Sequence, residues 1–244
     1  MNEASKAAAL SHALQEMPRE ACGLVVVVKG RERYIPCRNI SAEPDEMFVL
    51  DPEAYAAAEE LGEITAIFHS HPNTLATPSE ADRTACESSG LAWHICNPHM
   101  GTWAELAPCG YKAPLIGRQY AWAVADCWTL VRDWYTENGV LLPDWQRPLD
   151  SEDFVAAPMF EDCWPSAGFT RLPEEEPLQR GDALLMRLAG KGLDHCAVYI
   201  GDGLILHHIR GRLSSRDIYG EWLQNCTGKR LRHYDGAKLQ STSP

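Results

Sequence analysis

The break in patterning between residues 108 and 117 constrains this chain more than any other feature. Pro108-Cys109-Gly110-Tyr111-Lys112-Ala113-Pro114 is built of turn formers and carries no hydrophobic period. On either side, apolar residues recur at helix or strand spacing. A length of 244 residues suffices for two cores of ordinary domain size. The break therefore predicts a first domain at 1–108, a linker at 109–118 and a second domain at 119–244.

Ala7, Leu10, Leu14 and Met17 have helical spacing, and Pro18 ends that helix. Residues 21–28 predict a strand, and a Lys29-Gly30 turn leads to an extended run through Tyr34, Ile35 and Cys37. Asp51-Pro52-Glu53 supplies a cap, an N1 proline and an early acid for a helix reaching Leu61. A buried strand at 64–68, a helix at 79–87 and strands at 91–96 and 102–107 complete an α/β half. The second half opens with a helix at 124–138, followed by a proline-rich loop at 139–148 and a loop with a short helix at 151–177. Strand-like runs follow at 183–188, 195–200 and 204–209. A helix at 214–224 and a closing strand at 231–234 make this half α+β.

Composition limits the partners. Lys and Arg number 22 against 34 Asp and Glu, a net charge of −12, which lacks the basic footprint of a nucleic-acid or anionic-lipid binder. No nucleic acid and no membrane insertion are expected, since no apolar stretch approaches the roughly 20 residues that cross a bilayer. Residues 1–20 also lack the apolar core of a signal peptide. Nine cysteines, with no C-x-x-C pair, predict reduced and mostly buried thiols.

His69-Ser70-His71 sits where a buried strand runs out into a loop, and residues two apart on a strand share a face. Both imidazoles can reach one ion. Ten residues separate His71 from Asp82, which lies one turn into the helix that starts at Ser79. A carboxylate returning beside the strand makes three N/O ligands with an open fourth position, the arrangement of catalytic zinc. Glu20, next to the strand at 21–28, can serve as proton shuttle if that strand neighbours the histidine strand. Each residue alone also fits a structural role: a surface loop near Pro72, a helix cap at Ser79, a solvated Glu20.

Together, Glu20, the H-S-H-P run and Ser79-x-x-Asp82 resemble the JAMM metallopeptidase pattern, as does Ala21-Cys22-Gly23-Leu24 after the glutamate. The resemblance implies a cytidine-deaminase-like fold and cleavage of amide or isopeptide bonds. It implies Zn2+ held by His69, His71 and Asp82, with Glu20 as general base and Ser79 as a transition-state or water-binding hydroxyl.

In the second half Cys127 follows Asp126 at a helix start, where unpaired N–H groups and the helix dipole favour a thiolate. A strand opening at His195 turns through Gly201-Asp202-Gly203 into a strand carrying His207 and His208, which supplies a base and a group to orient it. A turn centred on Gly201 sets His195 opposite His207, and a two-residue Gly201-Asp202 loop sets it opposite His208, so spacing alone leaves both open.

These residues resemble the NlpC family of papain-like cell-wall cysteine peptidases, whose spacing selects His207. The resemblance implies Cys127 as nucleophile, His195 as base, Tyr120 near the oxyanion site and Asp126 lining a pocket for the substrate's free amine. Trp128 and Thr129 stand where small residues commonly follow the cysteine. A JAMM-like half joined to an NlpC-like half resembles the tail-tip assembly proteins of lambda-like phages, as do the run from Asp126 to Tyr135 and Gly211-Arg212-Leu213-Ser214. That implies a peptidoglycan-degrading hydrolase with other phage tail-tip proteins as partners, made in the host cytoplasm, carried at the virion tail tip and delivered to the periplasm. A structural tail assembly factor with one or both sites inactive is the alternative.

Overall fold

The computed structural model describes residues 1–150, 153–154, 159–189 and 192–240. It forms two compact units, Met1–Lys112 and Ala113–Pro244.

In the first unit the elements run α1 (Glu3–Glu16), β1 (Cys22–Val28), β2 (Arg31–Cys37), α2 (Pro52–Leu61), β3 (Glu63–Ser70), α3 (Glu80–Ser89), β4 (Ala92–Asn97) and β5 (Thr102–Leu106). The sheet order is β2-β1-β3-β4-β5. Only β3 and β4 pair in parallel, joined by the crossover through α3, and the other pairs are antiparallel. Leu24, Val26, Ile67 and Trp93 face Ala58 of α2 and Cys86 of α3. Ala21, Phe68 and Cys96 face Ala9 and Ala13 of α1, whose small side chains let that helix lie close. The sheet is thus covered on both faces, which is why β1 and β3 are nearly continuous apolar runs. Gly23 is required by a close approach: a Cβ there would stand 2.5 Å from the Tyr34 hydroxyl and 2.6 Å from the Ile35 carbonyl oxygen.

The second unit runs α4 (Cys127–Glu137), α5 (Met159–Cys163), β6 (Phe169–Arg171), β7 (Ala183–Met186), β8 (His195–Gly201), β9 (Leu204–His207), β10 (Ser215–Ile218), α6 (Glu221–Cys226), β11 (Thr227–His233) and a 3-10 turn, Gly236–Gln240. Six antiparallel strands lie in the order β10-β9-β8-β7-β11-β6. Leu130, Val131 and Trp134 of α4 pack on Val198 and Leu206 on one face. Leu223 of α6 joins Leu184, Met186, Ala197 and Ile205 on the other.

Three sequence expectations change, the first being that Phe169–Arg171, inside the loop expected at 151–177, forms strand β6. The helix expected at 214–224 is an edge strand followed by a short helix, because Ser215 and Asp217 turn inward while Arg216 and Ile218 turn out, a period of two. The hairpin pairs Ala197 with His207, so His195 lies opposite neither His207 nor His208. The turn falls at Asp202-Gly203, further along the chain than either expected turn, and an irregularity between Tyr199 and Gly201 takes back one residue of that offset. Within the loop expected at 151–177, residues 151–152 and 155–158 lie outside the described residues. All nine cysteines are unpaired, and six are buried.

Candidate active sites

In the first unit, the site begins with strand pairing. Cys22 of β1 lies opposite His69 of β3, so Glu20 enters the sheet beside the histidines. The Ser70 hydroxyl, on the opposite face from His69, accepts from the Ala21 N–H at 2.9 Å and fixes that approach. His71 extends the ladder by donating its N–H to the Cys96 carbonyl at 2.8 Å. Asn97 donates to the carbonyls of His71 and Thr74, at 3.0 and 2.7 Å, and pins the loop that follows. Phe48 stacks on the His69 ring at 4.6 Å and Trp93 meets it edge-on at 5.3 Å.

His69, His71 and Asp82 are all buried, and each offers a ligand atom within 4.8 Å of the others. The two Nε2 atoms are 3.0 Å apart. His69 Nε2 lies 3.1 Å from Asp82 Oδ1, and His71 Nε2 lies 3.5 Å from Oδ2. A tetrahedral ion with zinc's usual bond lengths separates its ligands by about 3.3 Å. His71 Nδ1–H donates to the Leu75 carbonyl at 2.8 Å, which leaves Nε2 with its lone pair toward the cluster. His69 Nδ1 is buried and has no hydrogen-bond partner among the described residues. This donor set fits zinc.

Electrostatics tie Glu20 to the same place. Burial pushes its carboxyl up to about 8, with His71 opposing and Asp82 adding to the rise. Burial would also raise Asp82, but hydrogen bonds from His69 and His71 outweigh it and hold that carboxyl far below the ordinary range. Ser79 is the N-cap of α3. Its hydroxyl accepts from Asp82 N–H at 3.0 Å, and Asp82 Oδ2 accepts from Ser79 N–H at 2.7 Å. The cap and the possible ligand are therefore one device, in which the box orients the carboxylate.

In the second unit, Asp126 is the N-cap of α4 and Thr129 closes the box. Asp126 Oδ1 accepts from Thr129 N–H at 2.9 Å, and Thr129 Oγ1 accepts from Asp126 N–H at 2.7 Å. Trp128 stacks on Trp145 at 4.8 Å. These contacts account for the two bulkier residues after the cysteine. Cys127 occupies the first helical position, and its thiol lies below the ordinary value. The first cause is a hydrogen bond with the Cys196 thiol, then burial in opposition, then His195. Burial and the Cys127 thiolate push Cys196 up in turn.

His195 Nε2 meets His207 Nδ1 at 3.3 Å across a diagonal of the β8–β9 ladder. His207 Nε2 lies 3.1 Å from Asp217 Oδ2 on β10, and Arg212 reaches the same oxygen at 3.3 Å. Asp217 was missed in the sequence because the segment carrying it read as helix. His208 turns to the other face, fully buried, with Tyr120 edge-on at 5.1 Å. Tyr120 is itself raised, by burial first and then by Cys127 and Asp126. The structure thus gathers Tyr120, Asp126, Cys127, His195 and His207, and it adds Asp217.

Arg147 was not singled out from sequence either. Its Nε lies 2.5 Å from Asp126 Oδ2 and its Nη2 lies 3.1 Å from Oδ1. Both side chains are buried, at 6% and 1% exposure.

Comparison with known proteins assigns the halves. Residues 3–107 match prokaryotic homologs of the JAB domain, and residues 117–232 match the NlpC/P60 family. The chain is 38% identical to tail tip assembly protein K of Escherichia phage N15 over 93% of both chains. It is 34% identical to tail tip assembly protein K of Escherichia phage lambda, over 75% of this chain and 89% of that one. It is also 38% identical to a probable TtuB-protein conjugate cleaving protease of Thermus thermophilus, over 43% of this chain and 74% of that one.

Proposed function

Because the chain belongs to the tail tip assembly protein K family of phages, we propose that it is a tail-borne hydrolase whose second unit cuts stem-peptide amide bonds of host peptidoglycan. The observation that carries this reading is Cys127 at the start of α4, its thiol held low beside His195, with His207 3.3 Å behind that imidazole. Cys127 attacks the amide carbonyl, an S–C bond forms, the C–N bond breaks, and His195 delivers the proton to the departing amine. Water then releases the acid with His195 as base. His207 accepts from His195 Nε2–H through Nδ1, which requires its own proton on Nε2, and Asp217 is placed to hold that tautomer. Tyr120, kept protonated by burial, supplies a donor for the carbonyl oxygen, and Asp126 lines the acyl side, its carboxylate engaged by Arg147 where the resemblance implies a pocket for the substrate's free amine. The bond cut lies between D-Glu and the diamino acid.

In the first unit His69, His71 and Asp82 would hold zinc. Bound there, it would supply Lewis acidity toward an amide or isopeptide carbonyl and toward water. Glu20 takes and returns the proton, and the Ser79 hydroxyl donates toward the oxygen that gains charge. Its substrate is a tail protein, a host isopeptide or wall peptide. The partners are other tail-tip proteins and host peptidoglycan. The chain is assembled in the host cytoplasm, carried at the tail tip and brought to the periplasm on infection.

Digestion of purified sacculi, with mass spectrometry of the products, tests the thiol site. Wild type releases cleaved stem peptides and Cys127→Ala releases none. Wild-type rates in the variant would sink the assignment, and intact stem peptides from folded wild type would favour an assembly factor without this activity.

A further inference from the structure

The cavity that shares Cys127 is walled by Trp122, Trp128, Trp145, Phe154 and Phe160. Among the described residues lining it, Asp126 is the one carboxylate and Arg147 the one basic side chain. A carboxylate offers about four lone-pair directions, and those of Asp126 are taken. Oδ1 accepts from Thr129 N–H at 2.9 Å and Arg147 Nη2 at 3.1 Å, and Oδ2 accepts from Ala123 N–H at 3.2 Å and Arg147 Nε at 2.5 Å. Arg147 is occupied in turn, since its Nη1 donates to Asp144 Oδ1 and to the Trp145 carbonyl, both at 3.0 Å. Trp122 Nε1 donates to the Pro148 carbonyl at 2.9 Å and anchors the same loop.

The carboxylate of this pocket is therefore buried and already engaged, and the rest of the lining is apolar or sulfur apart from indole N–H groups, of which Trp128 Nε1 has no partner among the described residues. An ammonium group placed there would lose its water, find the one carboxylate already engaged, and face a guanidinium and an indole N–H donor. An amide would meet none of these costs. We propose that the pocket beside Cys127 takes the acyl side of a peptide whose amino terminus is already amide-linked, that it rejects a free ammonium, and that Arg147 sets this preference. The proposal rests on the thiol-peptidase reading and names its substrate class. Stem peptides still joined to their glycan, whose first residue is amide-linked, fit the pocket, and released peptides with a bare amino terminus do not.

The test uses the full-length protein and two alanyl-alanyl chloromethyl ketones, one with a free amino terminus and one acetylated. The Cys127 thiolate displaces chloride, an S–C bond forms, and mass spectrometry reads the rate at that residue. At pH 6.5 the acetylated reagent labels Cys127 faster by on the order of tenfold or more. At pH 9.5, above an amino terminus of about 8, the free reagent is uncharged and the ratio falls toward one. In Arg147→Met, with Asp126 unmasked, the preference at pH 6.5 narrows or inverts. Equal rates, or faster labelling by the free-amine reagent at pH 6.5 in wild type, would overturn the proposal whether or not the variant folds. Labelling of Cys127 by neither reagent would instead bring down the thiol assignment on which it rests.

Discussion

At Cys127 the chemistry has a pH signature. Its thiol is held below the ordinary value by Cys196 and His195, so the thiolate is present from that lowered value upward and is lost only as pH falls through it. An ordinary thiol near 8.5 loses about fifty-fold in thiolate between pH 8.5 and 6.5. Iodoacetamide should therefore label Cys127 in the folded protein at nearly the same rate at both values, while the urea-unfolded chain shows the full fall. A parallel fall in the folded protein would refute the thiolate. His71 carries a second residue-level expectation. Wild type should bind about one zinc per chain and His71→Ala almost none by elemental analysis, since two remaining ligands bind weakly, and full occupancy in the variant would exclude His71 as a ligand. The possible metal ligands were legible because His69, His71, Ser79 and Asp82 are set by one strand end and one helix start, both local. Arg147 and Asp217 were not, because each reaches its partner only when distant segments of chain are folded together.

Among the elements, the start of α4 concentrates several demands. Asp126 caps the helix, and Thr129 satisfies the Asp126 N–H that the chain buries. Thr129→Val keeps the shape and leaves that N–H unpaired, which should cost about 1–3 kcal/mol in urea unfolding of the second unit. An unchanged midpoint would mean that the capping box contributes nothing. The capping residues of α3 and α4 were readable from sequence because a cap is a matter of spacing within one turn. The β8–β9 register was not, since the turn falls at Asp202-Gly203 and an irregular residue before Gly201 then offsets the pairs beyond it. The net offset is two places from a direct His195–His207 pairing, and the two rings still meet because aromatic rings span the diagonal of a ladder. Residues 214–224 misled for a different reason: four strand residues at a sheet edge leave too short an alternation to oppose a helical reading.

Across the whole molecule, the order of elements in the first half was legible from periodicity and that of the second only in part, since β6 and β10 were read as loop and helix, while the assembly of the two candidate sites depended on sheet order. In the first unit β1 lies between β2 and β3, which brings Glu20 to the histidines. In the second, β10 is an edge strand of four residues that pairs only with β9, and it carries Asp217. Edge strands open at lower free energy than the sheets they border. Detachment of β10 would remove the carboxylate behind His207 while α4 and the central strands keep Cys127 and His195 in place. On heating, hydrolysis of sacculi should then fall away several degrees before the near-UV dichroism of the fold does, and coincident midpoints would show that β10 is held as firmly as the core. A peptidase built this way would carry a thermal cut-off of its own, set by its loosest strand and not by the temperature at which the protein melts.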